Sequence, residues 1–350
     1  MNFCFSFMKI TSHYIMPAEW ETHSAVWLAW PYDPITFPNR VAQAETAYVQ
    51  IIKHLHASED VELLVTGPEM QARAEQLLVT AGVDLKKITF HQTDYADVWI
   101  RDYGPTFIHE PQTRELAWVK WKYNAYGNKF PDLLKDNEVF FALRRDIDKR
   151  MLDAELFMEG GAIETNGAGI ILTTEECLLN PNRNPQLSKA NTETALRKHL
   201  GANKIIWLKK GLVNDHTDGH IDELARFVSQ NAIVCASEDD SQDPNYDILR
   251  ENLHALAKAT NTDGRPFEII RLPMPHIFYE DGSKAPASYA NFYIGNKVVL
   301  VPAFGDPNDA RALEILQNCF PTRQAVAIGC SDLIYGGGGL HCVTQQQPLL

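Results

Sequence analysis

A thiol, an imidazole and three carboxylates stand in four separate polar segments of this chain, each of them glycine-containing. The segments are WIRDYGP with Asp102, MEGGAI with Glu159, HTDGHID with His220 and Asp222, and GGGGLHC with Cys342. Cysteine attacks carbon as the thiolate, which a neighbouring base or positive charge must populate near neutral pH. His220 stands two residues before Asp222, a spacing that sets both side chains on one face of a strand and suits proton transfer beside a bound substrate. Carboxylates that converge on a thiol call for a planar cation, because they hold a guanidinium through paired hydrogen bonds in a fork. Taken singly, each residue has a plainer reading: Asp102 as a turn residue paired with Arg101, Glu159 as a strand end, Cys342 as a buried structural thiol. The combination is what points to chemistry.

The run Gly336 to Gly339, one residue before His341 and Cys342, needs its own reason. Each glycine costs backbone entropy on folding, so four together imply φ values that other residues avoid, or close approach of the backbone to another group. Cys177, Cys235 and Cys319 read as structural. A metal reading would join His216 and His220, four apart, to Cys342; Asp218-Gly219 between the histidines argues for a loop instead of the helix that zinc would need.

These residues must be positioned by a framework, and one pattern returns along the chain. A polar stretch is followed by two short apolar strands around a turn, as in RDYGPTFIHEPQTRELAWVKW, GGAIETNGAGIILTTEE, DGHIDELARFVSQNAIVCAS and SYANFYIGNKVVLVPAF. The starts fall about 60 residues apart, the mark of a repeated supersecondary unit. Helix-patterned stretches then lead into a further strand: EMQARAEQLLVTAG into DLKKITFHQ, NTETALRKHLGA into NKIIWLKK, DILRENLHALAKAT into PFEIIRLP, and ARALEILQNCF into RQAVAIG. SAVWLAWP and VELLVTG, with the helix AETAYVQIIKHLHA between them, supply one more unit, completed by the terminal LHCVTQQ strand. Five α/β units of this kind close into a propeller-like ring and bring the polar starts to a common centre.

The 350 residues are 45% hydrophobic and 22% charged, ordinary globular composition with apolar content for a sizeable core. A net charge of -13 excludes a general basic surface for nucleic acid. No segment reaches the roughly 20 apolar residues that span a membrane. The six cysteines form neither a disulfide framework nor a zinc knuckle, which fits a reducing cytosol. The opening MNFCFSFMKITSHYIM lacks the charge order and cleavage site of a signal peptide, and translation could begin at Met1, Met8 or Met16. The expected organisation is one catalytic domain over residues 16–346 behind an N-terminal extension, 1–15.

The segments MPAEWETHSAVWLAWP, DVWIRDYGPTF, EGGAIETNGAGIILTTEECLLNPNRNP, NDHTDGHIDELARFV, ASYANFYIGNKVVLVPAFGDPND and GGGGLHCVTQQ resemble, in the same order, those of the agmatine deiminases. These are bacterial peptidyl-arginine deiminase-type proteins of the guanidine-modifying superfamily. The resemblance implies the pentein fold, a five-bladed α/β propeller with a central active site. It implies Cys342 as nucleophile, His220 as general acid and base, and Glu159 as the glutamate of the EGG motif. It implies Asp102 and Asp222 as the guanidinium clamp and Trp99 as a wall of the substrate site. Hydrolysis of agmatine to N-carbamoylputrescine and ammonia then runs through a covalent thiouronium on Cys342, with no metal and no organic cofactor. Glu159 would orient His220 and raise its pKa. Many agmatine deiminases read TNGH where this chain reads Thr217-Asp218-Gly219-His220, which makes Asp218 a candidate contact for a substrate amine. Free arginine or peptidyl-arginine would present the same guanidinium, an amidinotransferase would share the covalent step, and a non-catalytic propeller would bind a partner. The expected partner is a small cationic guanidine substrate, not nucleic acid or a membrane, with a cytosolic homodimer as the default state.

Overall fold

A computed structural model describes residues 14–350, so the possible start sites Met1 and Met8 and most of the proposed extension lie outside the described residues. Ile15 exchanges backbone hydrogen bonds with His109, and the Met16 amide donates to Leu200. Among the described residues no helix is long and apolar enough to cross a membrane.

The strands form five small sheets. Four share one plan, in which an antiparallel hairpin is followed by a parallel third strand. They are β4 (Thr106–His109), β5 (Leu116–Lys122) and β6 (Arg150–Phe157); β7 (Glu164–Thr165), β8 (Ile170–Thr174) and β9 (Lys204–Leu208); β10 (Ala225–Ser229), β11 (Ala232–Ser237) and β12 (Glu268–Pro273); and β13 (Tyr293–Ile294), β14 (Val298–Ala303) and β15 (Gln324–Gly329). The middle strands are apolar on both faces, as IILTT and AIVCAS show, because helices cover one side and the ring interior the other. The helix Lys189–Leu200 shows how a connection is specified. Ser188 and Asn191 form a capping box at its start, Gly201 at φ 67° ends it, and Leu196 and Leu200 face the core. Burying each such leucine stabilises the fold by about 1.5–3 kcal/mol.

The remaining sheet joins the two ends of the chain. The final strand, β16 (Gln345–Pro348), pairs antiparallel with β1 (His23–Ala29), β2 (Asp60–Val65) pairs parallel with β1, and β3 (Ile88–Gln92) pairs parallel with β2. The ring is thereby closed by pairing of the first and last strands, leaving no gap in the circuit.

Three details differ from the sequence reading. DLKKITFHQ becomes Ile88–Gln92, a fourth strand on this first sheet, so one sheet has four strands and the others three. The terminal strand starts at Gln345, leaving Leu340 to Thr344 as a turn. Between β5 and β6, where the other sheets place a long helix, short helical turns run over 125–145, with Ala125, Tyr126 and Asn128 at positive φ. That irregular stretch hangs over the centre of the ring and supplies part of the site.

Candidate active site

Short helical turns precede the hairpins and carry their side chains to the ring centre. Ile100–Tyr103 carries Asp102, Gly160–Ala162 follows Glu159, and Ile221–Glu223 follows His220 and carries Asp222. The expectation of His220 and Asp222 on one strand face is therefore corrected. They sit on a tight turn, and the turn itself aims both inward.

Gly161 shows how closely they meet. A Cβ there would lie 2.6 Å from His220 Nδ1, 2.8 Å from Asp102 Oδ1 and 3.0 Å from Asp222 Oδ2. Its amide donates to Asp102 Oδ1 at 2.9 Å, and Tyr126 Oη donates to Asp102 Oδ2 at 2.8 Å. Three functional side chains thus converge on one bare backbone atom. Gly161→Ala should push them apart and lower kcat/KM by about 10–100-fold, because a misplacement of this size is large for a reacting geometry. Steady-state kinetics beside a melting curve checks this; unchanged kinetics would deny the convergence any role.

The glycine run meets the same requirement from the other side. Gly337 takes φ 111°, and a Cβ on Gly338 would lie 2.6 Å from Trp99 Cζ3. The chain bends over the Trp99 indole and delivers Cys342 beyond it. Asn291 Nδ2 donates to Cys342 Sγ at 3.2 Å, and Glu223 Oε1 lies 3.9 Å from that sulfur. Trp99 is held in turn by Asp97 Oδ2, which accepts from its Nε1 at 2.9 Å.

Cys342, Asp102 and Trp99 line a cavity of about 400 Å³ that also touches Asp33, Asp97, Tyr126, Phe130 and Asp132. His216 and Thr217 line it too, whereas Asp218 does not. Asp218 Oδ2 accepts from Arg183 Nη1 at 2.5 Å and Asn182 Nδ2 at 2.9 Å, and its other oxygen takes Lys129 Nζ. The expected contact of Asp218 with a substrate amine is corrected accordingly. Its charge is neutralised by Arg183 and Lys129, and it braces the loop before His220. Among the described residues, the ligand atoms of His216, His220 and Cys342 do not gather into one group.

Burial governs the protonation of this centre. It pushes Asp102 up to about 7, with Glu159 adding to the effect. Burial and Asp102 together push Asp222 well above the carboxylate range. Burial, Asp222, Glu223 and Asp102 push the Cys342 thiol well up. His220 moves well down, through burial and then the positive charge of Arg183. This overturns the expectation that Glu159 charges His220. Glu159 Oε1 accepts from Arg183 Nε at 2.8 Å, while its Oε2 is 4.0 Å from His220 Nε2, so its charge is answered by the arginine first. Burial thus disfavours the charged forms of the acids and of the imidazole at this centre. His220 Nε2, Asp222 Oδ1 and Glu223 Oε2 are buried without a partner, which is rare for polar atoms away from water.

Sequence reasoning missed Tyr126, Arg183, Glu223, Asn291 and His341. Glu223 and His341 adjoin residues that the motifs singled out, and Arg183 lies in NPNRNP, so a signal was present in the neighbouring residue types. Tyr126 lies in a stretch without periodicity and had none. Cys177, read as structural, lies 4.0 Å from Glu159 Oε2 and packs behind the site.

Five small α/β sheets in a ring, with a buried thiol, imidazole and carboxylates at the centre, define a pentein. An amidinotransferase from Microseira wollei shares the fold at 12% identity, TM-score 0.51, over 95% of this chain and 96% of that one. The chain belongs to the Porphyromonas-type peptidyl-arginine deiminase family, which it matches over residues 15–348. The agmatine deiminase of Stutzerimonas stutzeri is 37% identical over 359 residues, covering 96% of this chain and 95% of the relative. The solved agmatine deiminase of Enterococcus faecalis superposes with TM-score 0.86 at 30% identity, over 96% of each chain. A cysteine-to-serine variant of the C. jejuni agmatine deiminase, solved with substrate bound, superposes with TM-score 0.86 at 29% identity, over 95% of this chain and 96% of that one.

Proposed function

We propose that this protein is an agmatine deiminase, hydrolysing agmatine to N-carbamoylputrescine and ammonia. One observation carries the reading: the Cys342 thiol and the Asp102 carboxylate share an acidic cavity, and the unpartnered oxygens of Asp222 and Glu223 are buried beside them, behind its lining. Asp33, Asp97, Asp102 and Asp132 line that cavity against one cation, Lys129, which is engaged by Asp218. A guanidinium satisfies the inner carboxylates. The outer ones favour a second positive charge at the far end of the substrate, and no free cation waits for the α-carboxylate of arginine among the residues that line the cavity.

In this reading Asp102 and Asp222 hold the guanidinium while Cys342 gives its proton to His220 and the thiolate attacks the guanidinium carbon. The carbon–nitrogen bond to the leaving nitrogen breaks, and His220 returns the proton to it as ammonia departs. The amidino carbon stays bonded to sulfur. His220, neutral again, takes a proton from water as the hydroxide adds. Collapse expels the thiolate, the adduct's hydroxyl proton passes to solvent as the neutral ureido product leaves, and His220 returns its proton to the sulfur. Burial and the neighbouring carboxylates disfavour the Cys342 thiolate, and the incoming cation supplies the positive charge that stabilises it. Arg183, paired with Glu159, braces the Thr217–Asp218 loop that leads into His220, and Trp99 forms the wall beside the alkyl chain.

The pH dependence follows from Asp102. Its carboxyl, raised to about 7, must be ionised to hold a cation, so the anionic form is present above pH 7 and lost below it. The kcat/KM for agmatine should fall about tenfold from pH 8 to pH 6, a limb belonging to the carboxylate cluster as a whole. A profile flat to pH 6 would contradict it. The decisive assay measures ammonia and ureido product from agmatine, free arginine and a short arginine peptide, with Cys342→Ala as blank. Turnover of agmatine well above the others is expected; none of the three turning over would remove the proposal.

A further inference from the structure

His341, the residue before Cys342, lies between two carboxylates. Its Nδ1 is 2.7 Å from Asp222 Oδ2 and its Nε2 is 2.8 Å from Glu19 Oε2, and all three side chains are buried. A neutral imidazole has one N–H and one lone pair. It can donate to one carboxylate, but it then turns its lone pair on the lone pairs of the other. Two contacts of this length therefore need a second proton within the trio.

Glu19 is not where that proton sits. Its Oε2 also faces Arg226 Nη2 at 2.9 Å and Arg101 Nη2 at 3.5 Å, and its Oε1 accepts from the Ile294 amide at 2.8 Å. Burial alone would raise Glu19, but Arg226, His341 and Arg101 hold its carboxyl well below the usual range. The proton is left to Asp222 and His341. Burial, and then the facing charges of Arg101 and Arg226, push His341 down. Burial and then Asp102 raise Asp222, with Arg226 and Arg101 opposing and Asp215 adding, and burial together with Asp222 raises Glu223. Tyr293 and Glu164 complete the surroundings, beside Glu19 and Arg226 respectively. Asp222 raised and His341 lowered both favour a proton on Asp222 Oδ2 aimed at His341 Nδ1, with His341 Nε2–H aimed at Glu19.

We infer that His341 is a proton store for the guanidinium clamp. When the cation docks on the free Oδ1 of Asp222, the proton on Oδ2 crosses to His341 Nδ1. An aspartate then faces the substrate, and an imidazolium lies between two carboxylates. The trio keeps its net charge, no proton leaves for solvent, and the clamp becomes anionic only when a cation is there to meet it. His341 acts through Asp222 as a positioning residue. The inference rests on agmatine binding at this clamp.

The test is calorimetry of agmatine binding near pH 7 in two buffers of different ionisation enthalpy, using Cys342→Ala and Cys342→Ala/His341→Gln proteins. Glutamine keeps hydrogen-bonding capacity but cannot take up a proton. The double variant should release close to one more proton per site than the single variant. Its affinity should also rise about tenfold per pH unit over the range in which Asp222 titrates, where the parent changes less. Equal proton release in both would overturn the store while leaving the function intact; absence of agmatine binding to either protein would instead sink the agmatine reading. A second measurement needs no change at His341. In Cys342→Ala protein carrying ¹⁵N-histidine, saturation with agmatine should convert one buried ring to imidazolium, identified as His341 because its signals persist in His220→Asn protein. If that ring stays neutral the inference fails, whatever the folding of the glutamine variant.

Discussion

Cys342→Ala is expected to lower kcat for agmatine by about 10⁴-fold or more while leaving agmatine binding measurable. In the proposed mechanism the carbon–sulfur bond divides a difficult hydrolysis in two, and among the described residues no other thiol lines the cavity to replace Cys342. Cys177 is the other thiol near the site, but it lies behind Glu159, fully buried, with its acidity suppressed by burial and by Glu159. The change removes one sulfur at the edge of the core, where Cys342 is 7% exposed, so the melting temperature should shift by only a few degrees. Ammonia release and calorimetry on the same preparation check both halves. Residual turnover above about one percent would mean that Cys342 is not the nucleophile.

Asp222→Asn carries the second largest effect. Asp222 is fully buried, its Oδ1 has no partner, and its Oδ2 is fixed by His341 at 2.7 Å. An asparagine there offers a guanidinium at best one neutral acceptor, and its NH₂ group opposes either the substrate or His341. Removing one charge of a buried pair costs about 3–5 kcal/mol, which predicts a loss of about 10²–10⁴ in kcat/KM. The thiol itself is not removed, so iodoacetamide should still alkylate Cys342 within about threefold of the parent rate. A variant with normal kcat/KM would take Asp222 out of the clamp. Loss of alkylation together with loss of activity would mean the change had disturbed the fold of the centre instead.

Much of the architecture was legible in the chain because it rests on local periodicity. Alternating apolar residues around NG and GN turns mark the hairpins, and helical spacing before β-branched runs marks the third strands. What escaped was the exception to the repeat. Ile88–Gln92 looks like any third strand, and only its pairing with Asp60–Val65 shows that it is the fourth of its sheet. The stretch 125–145 has no period at all, so neither its path nor Tyr126 could be read.

The site divides along the same line. Residue types and glycine content were enough to single out Asp102, Glu159, His220, Asp222 and Cys342, because a thiol with an imidazole and carboxylates is chemically uncommon and the glycines betray close approach. The sequence by itself determined which groups are available and that they recur at the heads of similar units. Their partners were decided only by the tertiary structure. Glu159 answers Arg183 before His220, Asp218 is neutralised by Arg183 and Lys129, and His341 bridges Asp222 to Glu19, residues 119 and 322 positions away from it. Charge interactions depend on distances of a few ångströms and on burial, and no pattern of neighbours along the chain encodes either.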